Sequence, residues 1–405
     1  MTVDTIRVIG GYQTDFARNL TREGLDIADL VREVVEGTLA DAELDADAVG
    51  VVHVGNAFGQ LFTGQGHLGA MPASVVPDLW CVPASRHEGA CASGSLALLA
   101  AMADLESGRY DCALVIGAEL EKTVPTDAGA RHMGAAAWVG REGQNAKFIW
   151  PYMFDQIADE YDRRFGLDDR HLWAIAELNA RNAGRNPLAQ TRHWQRDAAS
   201  FSSDPVANPP VEGRLRKADC GPITDGAAGV VLVRPDHPAA QRSPAVQSKI
   251  LGWGHRTVGL SLADKLSRSS GDKYVLPHVR ETINDAFARA GMTDVGDLDL
   301  IETHDCFTIS EYLAIDHFGI TAPGESWRAV EEGALEIDGR IPVNPSGGLL
   351  GVGHPVGATG IRMLFDCHRQ VTGRADANQV EGAHRAAMLN IGGSTATTAS
   401  FILGR

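Results

Sequence analysis

Apolar positions along the chain switch between two periods. Short continuous apolar runs at "TIRVIG" (5–10), "VGVVHVG" (49–55) and "CALVIGAE" (112–119) predict buried strands. "IADLVREVVEGTLADA" (27–42) and "SGSLALLAAMADLESG" (93–108) carry helical spacing, and Gly108 stops the second helix. Alternation of this kind predicts a mostly parallel or mixed sheet flanked by helices. It breaks from about 121 to 205, where aromatic and charged residues mix and helices are expected at 152–166 and 170–186. This stretch reads as an inserted, mainly helical excursion that covers something. "DGAAGVVLVRP" (225–235) returns to strand. After about 245 the alternation restarts: helices at 278–291, 308–319 and 357–373, and strands at 298–304, 385–393 and 395–404. A helix of small residues followed by a strand thus occurs twice, near 91–119 and near 354–393, as a weak internal duplication.

Length, charge and cysteines narrow the class. The chain has 405 residues, more than one hydrophobic core usually absorbs. Its net charge of −16 argues against nucleic acid or an anionic membrane as a general partner. The six cysteines are scattered without a CxxC pair, which predicts a reduced, cytoplasmic protein. No apolar run reaches about 18 residues, so no membrane span is expected. The start turns polar too early for a signal peptide, and "SFILGR" is no peroxisomal address.

Four stretches at element junctions hold the candidate chemistry: "ACASGS" (90–95), "ETHDCFTIS" (302–310), "NPSGGLLGVGHPVGATG" (344–360) and "LNIGGST" (389–395). Cys91 sits among small residues at a helix start, where unpaired N–H groups favour a thiolate; the alternative is a small buried hydrophobe. Cys81, Cys112, Cys220 and Cys367 lack that context and read as packed thiols. His354, between glycines and before Pro355, could take the thiol proton, or be a satisfied loop histidine. On an extended segment His304 and Cys306 share one face and Asp305 takes the other. The Cys and His spacings fit no zinc finger or ribbon, so no metal is expected.

Together these stretches resemble the thiolase superfamily over nearly the whole chain. "CASGS" resembles its nucleophile loop, "NPSGGLLGVGHPVGATG" its most specific signature, and 203–233 the segment completing the first half. "HDCF" (304–307) in place of "NEAF" points to the sterol-carrier-protein-type branch. The resemblance implies an α/β fold of duplicated, five-layered α-β-α-β-α architecture. It implies an N-terminal half over 1–245, with the inserted loop domain at about 121–205, and a C-terminal half over 246–405 without a fused lipid-carrier domain.

The resemblance also implies an acyltransferase acting on coenzyme A thioesters in lipid metabolism, by reversible Claisen condensation and thiolysis. Cys91 would be the acylated nucleophile and His354 its base. One oxyanion hole would use His304 and His354 with a water, the other the backbone N–H of Cys91 and of Gly392. The family's usual second cysteine is absent, because its "CxG" loop reads "NIG" (390–392) here, so the second acid/base role passes to Cys306. No cofactor beyond coenzyme A thioesters is implied. A homodimer or homotetramer is expected, with a small partner subunit as an open question.

Three rival readings remain. A ketoacyl synthase would share fold and Cys/His/His site, but the "EAHGTGT"-like stretch is absent. A steroid side-chain aldolase working with a small subunit would be expected to lack Cys91. A non-catalytic acyl-CoA-binding scaffold need not keep paired Cys and His.

Overall fold

A computed structural model describes residues 5–241 and 247–405. Eleven strands occur among the described residues: β1 Arg7–Gln13, β2 Val51–Gly55, β3 Ala84–His87, β4 Cys112–Glu119, β5 Pro210–Glu212, β6 Leu215–Arg216, β7 Gly226–Val233, β8 Ser248–Thr257, β9 Leu300–Thr303, β10 Arg385–Gly392 and β11 Thr397–Gly404. The helices that position the site are α1 Ile27–Asp41, α2 Ser93–Glu106, α3 Thr126–Met133, α4 Ile149–Phe165, α5 Asp169–Ala183, α6 Pro277–Arg289, α7 Thr308–Phe318, α8 Gly348–Val352 and α9 Thr359–Thr372. The expected boundary at 245/246 touches residues outside those described.

The duplication is written in the strand order. The sheet runs β3-β2-β4-β7-β1-β8-β11-β10-β9, and β1 meets β8 through Arg7↔Lys249 and Val8↔Ser248. Reading outward from that seam, each half repeats one pattern. An antiparallel pair (β1–β7, β8–β11) is followed by a second antiparallel pair (β7–β4, β11–β10), then a parallel neighbour (β4–β2, β10–β9). The first half adds β3, parallel to β2; in the second the equivalent edge shrinks to one parallel bridge, Ile301↔Val343. β8 has no counterpart among the expected strands, because its buried positions are Ser248, Ile250, Gly252 and Gly254 and form no apolar run.

Helices fill the layers according to their apolar faces. α1 starts at Asp26, whose side chain accepts from Ala28 and Asp29 N–H, and buries Leu30, Val31, Val34 and Val35 against the outside of β1 and β7. α6 covers β8 and β11 on the other outside. α2 and α9 lie in the middle and pack on each other and on strands, α9 reaching both halves. Burial on every side explains why α9 holds even Arg362, Asp366 and His368 inside, with Arg362 Nη1 2.7 Å from Asp366 Oδ2. Glycine allows the close approach: a Cβ at Gly117 or Gly94 would lie 2.5 or 2.8 Å from the carbonyl oxygen of Gly357.

Two expectations about cysteines change. Cys112 and Cys367 are buried as expected, but Cys81 is exposed, held at φ 74° in the turn leading to β3. Cys220 is only half-buried, because the bridge Cys220↔Phe307 holds it at the wall of a cavity. No helix among the described residues is long and apolar enough to cross a membrane.

Candidate active site

Each site residue lies where a regular element ends. Cys91 precedes α2 in a turn made tight by Ala90 at φ 52°, whose carbonyl oxygen accepts from Ser93 N–H (3.0 Å) and Ser93 Oγ (2.6 Å). β9 stops at Thr303, so His304, Asp305 and Cys306 follow the strand rather than belong to it. The alternation expected of an extended segment nevertheless survives. Asp305 turns to α8, accepting from Leu349 N–H (2.5 Å), Leu350 N–H (3.2 Å) and Asn179 Nδ2 (2.9 Å). His304 and Cys306 face the other way. The "NPSGG" stretch is tied to β9 by Ser346 N–H and Oγ donating to Glu302 (3.0 and 2.7 Å) and by Asn344 Oδ1 accepting from Thr303 N–H (2.8 Å).

These ties bring one reactive atom each of Cys91, His304 and His354 within 4.8 Å of one another. The two imidazoles meet edge to face, centroids 5.2 Å apart. Cys306 joins Cys91 and His354 on the wall of a cavity of about 310 Å³. Its far wall comes from the helical excursion, through Met133, Phe148, Trp150 and Phe154. Trp150 has its indole N–H satisfied by Met133 O (3.1 Å), and Phe154 stacks on Phe307 (4.6 Å between centroids), so this wall is apolar and ordered.

Hydrogen bonds settle the proton on His354. Thr359 Oγ1 donates to Pro355 O (3.0 Å) and therefore accepts from His354 Nδ1–H (2.7 Å), leaving Nε2 as the free acceptor. Thr224 Oγ1 holds the backbone by accepting from His354 N–H (2.8 Å).

Burial sets the charge state. It lowers His354 to about 3, helped by Arg362, and raises Cys91 to about 12, helped by Glu121 and Glu119 and opposed by a hydrogen bond from Gly393 N–H. The expected helix-start thiolate is thus corrected: enclosure outweighs the dipole of α2, and the resting pair is neutral. Cys306 is pushed far above the usual thiol range, first by burial and then by Cys91. Beneath the site Glu119 accepts from Ala57 and Phe58 N–H (2.5 and 3.2 Å) and Glu121 from Val356 N–H (3.2 Å), and burial raises both carboxyls.

Gly392 ends β10 and packs against the nucleophile loop, where a Cβ would sit 2.2 Å from Gly89 O. The N–H directed at the thiol belongs to its neighbour Gly393. A Cys/His/His set so close is also an acceptable donor set for a cation. Sequence reasoning passed over Thr359, Thr224, Ser95 and Gly393. Thr359, Ser95 and Gly393 lie inside the candidate stretches and Thr224 inside the 203–233 segment, but nothing local told them from the small polar and glycine residues around them.

Family comparison agrees with this geometry. Residues 6–187 match the model of the thiolase N-terminal domain and 262–405 that of the thiolase C-terminal domain-like family. The chain is 34% identical over 407 residues to the acetyl-CoA acetyltransferase of Methanothermobacter thermautotrophicus, covering 99% of each. It is 29% identical over 408 residues to human sterol carrier protein 2, covering 96% of this chain and 70% of that one. Among solved structures, "Ltp2-ChsH2(DUF35) aldolase" superposes with a TM-score of 0.78 at 22% identity, covering 100% of this chain and 98% of that one. The acetyl-CoA acetyltransferase of Syntrophomonas wolfei superposes with 0.72 at 18%, covering 100% of both. A duplicated fold, a thiol beside two histidines, and matches to both halves lead to one conclusion: the chain belongs to the thiolase family.

Proposed function

We propose that the chain is an acyl-CoA C-acyltransferase that makes and cleaves 3-ketoacyl-CoA through an acyl group on Cys91. The observation that carries this reading is the convergence of Cys91, His304 and His354 within 4.8 Å, beside a cavity lined by Cys91, His354 and Cys306. In the first step Cys91 Sγ bonds to the thioester carbonyl carbon while its proton passes to His354 Nε2. The oxyanion accepts from backbone N–H groups of Cys91 and the Gly392–Gly393 turn. Coenzyme A then leaves as the C–S bond breaks, taking the proton from His354.

In the second step Cys306 passes its proton to His354 Nε2, its thiolate removes the α-proton of a second thioester, and the enolate oxygen accepts from His304. The α-carbon bonds to the acyl carbon and Cys91 departs, taking the proton from His354. In reverse, a Cys306 held neutral by burial is suited to protonate the leaving enolate. The retained Cys91 favours this reading over the aldolase one.

We read the chain as two halves, 1–245 and 246–405, the excursion at about 121–205 lying over the pantetheine arm. It works as a cytoplasmic homodimer or homotetramer, which light scattering at micromolar concentration tests. Incubation with acetyl-CoA should add one acetyl group to the intact mass of the wild type and none to Cys91→Ala. Cleavage of 3-ketoacyl-CoA should require coenzyme A. A wild type that neither acquires the acyl group nor cleaves any thioester with short, long or steroid-derived chains overturns the reading.

A further inference from the structure

Asn390 stands where thiolases usually carry a second reactive cysteine, and a carboxamide moves no protons at neutral pH. Its surroundings show another use. β10 pairs in parallel with β9 through Leu389↔Thr303, which sets Asn390 beside His304 just beyond the end of β9. Asn390, His304 and Ser95 are fully buried. Asn390 Nδ2 lies 3.1 Å from the carbonyl oxygen of Cys91 and 3.1 Å from His304 Nδ1, and Ser95 Oγ lies 2.7 Å from Asn390 Oδ1.

The chain of donors has one consistent solution. A backbone carbonyl only accepts, so the NH2 of Asn390 faces Cys91 O, and the orientation of the amide is fixed. Ser95 O–H then donates to Oδ1. The second N–H of Asn390 donates to His304 Nδ1, which is therefore unprotonated. A neutral imidazole that accepts at Nδ1 carries its hydrogen on Nε2. Burial, His354 and Arg362 all hold His304 neutral. Nε2 is buried and has no hydrogen-bond partner among the described residues. Gly360 leaves room for the relay, since a Cβ there would sit 2.4 Å from Ser95 Oγ and 2.6 Å from Asn390 Oδ1.

We propose that Asn390 is a positioning residue that locks His304 as the Nε2–H tautomer, keeping an N–H donor pre-aimed at the oxygen of the reacting thioester. The inference rests on the reading of His304 as an oxyanion donor. The amide also anchors the nucleophile turn through Cys91 O, so one side chain sets both the thiol's backbone and the donor facing it.

The test uses the full-length chain labelled with [15N]histidine, read by solid-state NMR at neutral pH and assigned by loss of the His304 signals in His304→Gln. Wild-type His304 should show its proton on Nε2. Asn390→Asp offers His304 only acceptors, so Nδ1 should gain the proton. A second proton on Nε2 is opposed by burial and Arg362. kcat should then fall by about 10²–10³, the usual effect of losing one oxyanion donor, with KM little changed. Asn390→Leu keeps the volume without inverting the donor, and should lose less activity than Asn390→Asp, the closer isostere. A purely structural role predicts the opposite order.

A wild-type proton on Nδ1, or an Asn390→Asp protein with the wild-type nitrogen signature or a kcat within a few-fold of normal, overturns the inference. The nitrogen signature is read without turnover. A wild type that cleaves no thioester therefore sinks the functional reading and leaves the tautomer result standing. An active wild type whose signature Asn390→Asp does not alter sinks only the lock.

Discussion

A carboxylate oxygen of Asp305 lies 2.5 Å from the amide nitrogen of Leu349, and with the bond to Leu350 it ties the segment carrying His304 and Cys306 to the one leading to His354. Gly348 makes this contact possible, because a Cβ there would collide with the carboxylate at 2.2 Å. Asp305→Ala should leave these two amides without their buried acceptor, at about 1–3 kcal/mol for each group orphaned, and Asn179 Nδ2 with Glu311 Oε2 (2.7 Å) in place of two carboxylates. The urea midpoint and kcat should both drop. Asp305→Asn, which keeps one acceptor oxygen, should lose less of each. An Asp305→Ala protein with wild-type midpoint and kcat would show that the tie is dispensable.

Cys306 and Cys91 should separate the two half-reactions. Cys306→Ala should leave acyl transfer onto Cys91 largely intact while slowing condensation and thiolysis by roughly 10²–10⁴, the usual worth of a positioned acid or base. Cys91→Ala should abolish both. Intact-mass trapping of the acyl-enzyme alongside turnover distinguishes them. Cys306→Ala turning over at the wild-type rate would make Cys306 a packed neighbour only.

The neutral Cys91–His354 pair predicts how the thiol titrates. With Cys91 raised to about 12, iodoacetamide labelling should climb with pH through about 9 instead of reaching a plateau near neutrality. Exposed Cys81 should react regardless of ligand, and acyl-CoA should protect Cys91. Peptide mapping after timed alkylation reads both, and a plateau below pH 7 would restore the thiolate.

Five histidines, three buried and two half-buried, shape stability in acid. Burial, the first cause in each, holds His354 and His368 at about 3, His53 and His278 at about 4, and His304 well below its ordinary range. Unfolded, they take up protons near pH 6.5, so the unfolded state binds more protons between there and about pH 3 and stability falls as pH drops. Buried carboxyls raised by burial, Asp219 to about 6 and Glu302 upward, act oppositely, lowering stability as pH rises from about 4. The two effects compete above about pH 4.5; below it the histidines are joined by carboxyls that arginine partners hold low, Asp168 at about 2 beside Arg170 and Glu160 beside Arg163 and Arg164. Urea midpoints measured across this range should fall most steeply between about pH 4.5 and 3. A flat profile there would contradict the assignment.

The alternation of apolar runs and amphipathic stretches was enough to mark most elements, because strands buried on both faces read as continuous apolar segments and surface helices repeat their apolar face. α1, α2, β4 and β7 lie within a residue or two of where the pattern put them. Short motifs marked Cys91, His304, Cys306 and His354, because each occupies a glycine- or proline-marked junction or a strand end. β8 escaped because glycines that admit α6 interrupt its pattern, and a Cβ at Gly254 would lie 1.9 Å from Thr282 O.

Tertiary structure alone decided the rest. Whether Cys91 is a thiolate depends on enclosure by groups from both halves, which no local window records. The tautomers of His304 and His354 depend on partners brought by other elements or by the next turn, Asn390 from β10 and Thr359 from α9. In sequence Asn390 is only a missing cysteine. It gains a task because parallel pairing of β10 with β9 sets its amide between the Cys91 carbonyl and the His304 ring, more than eighty residues away along the chain.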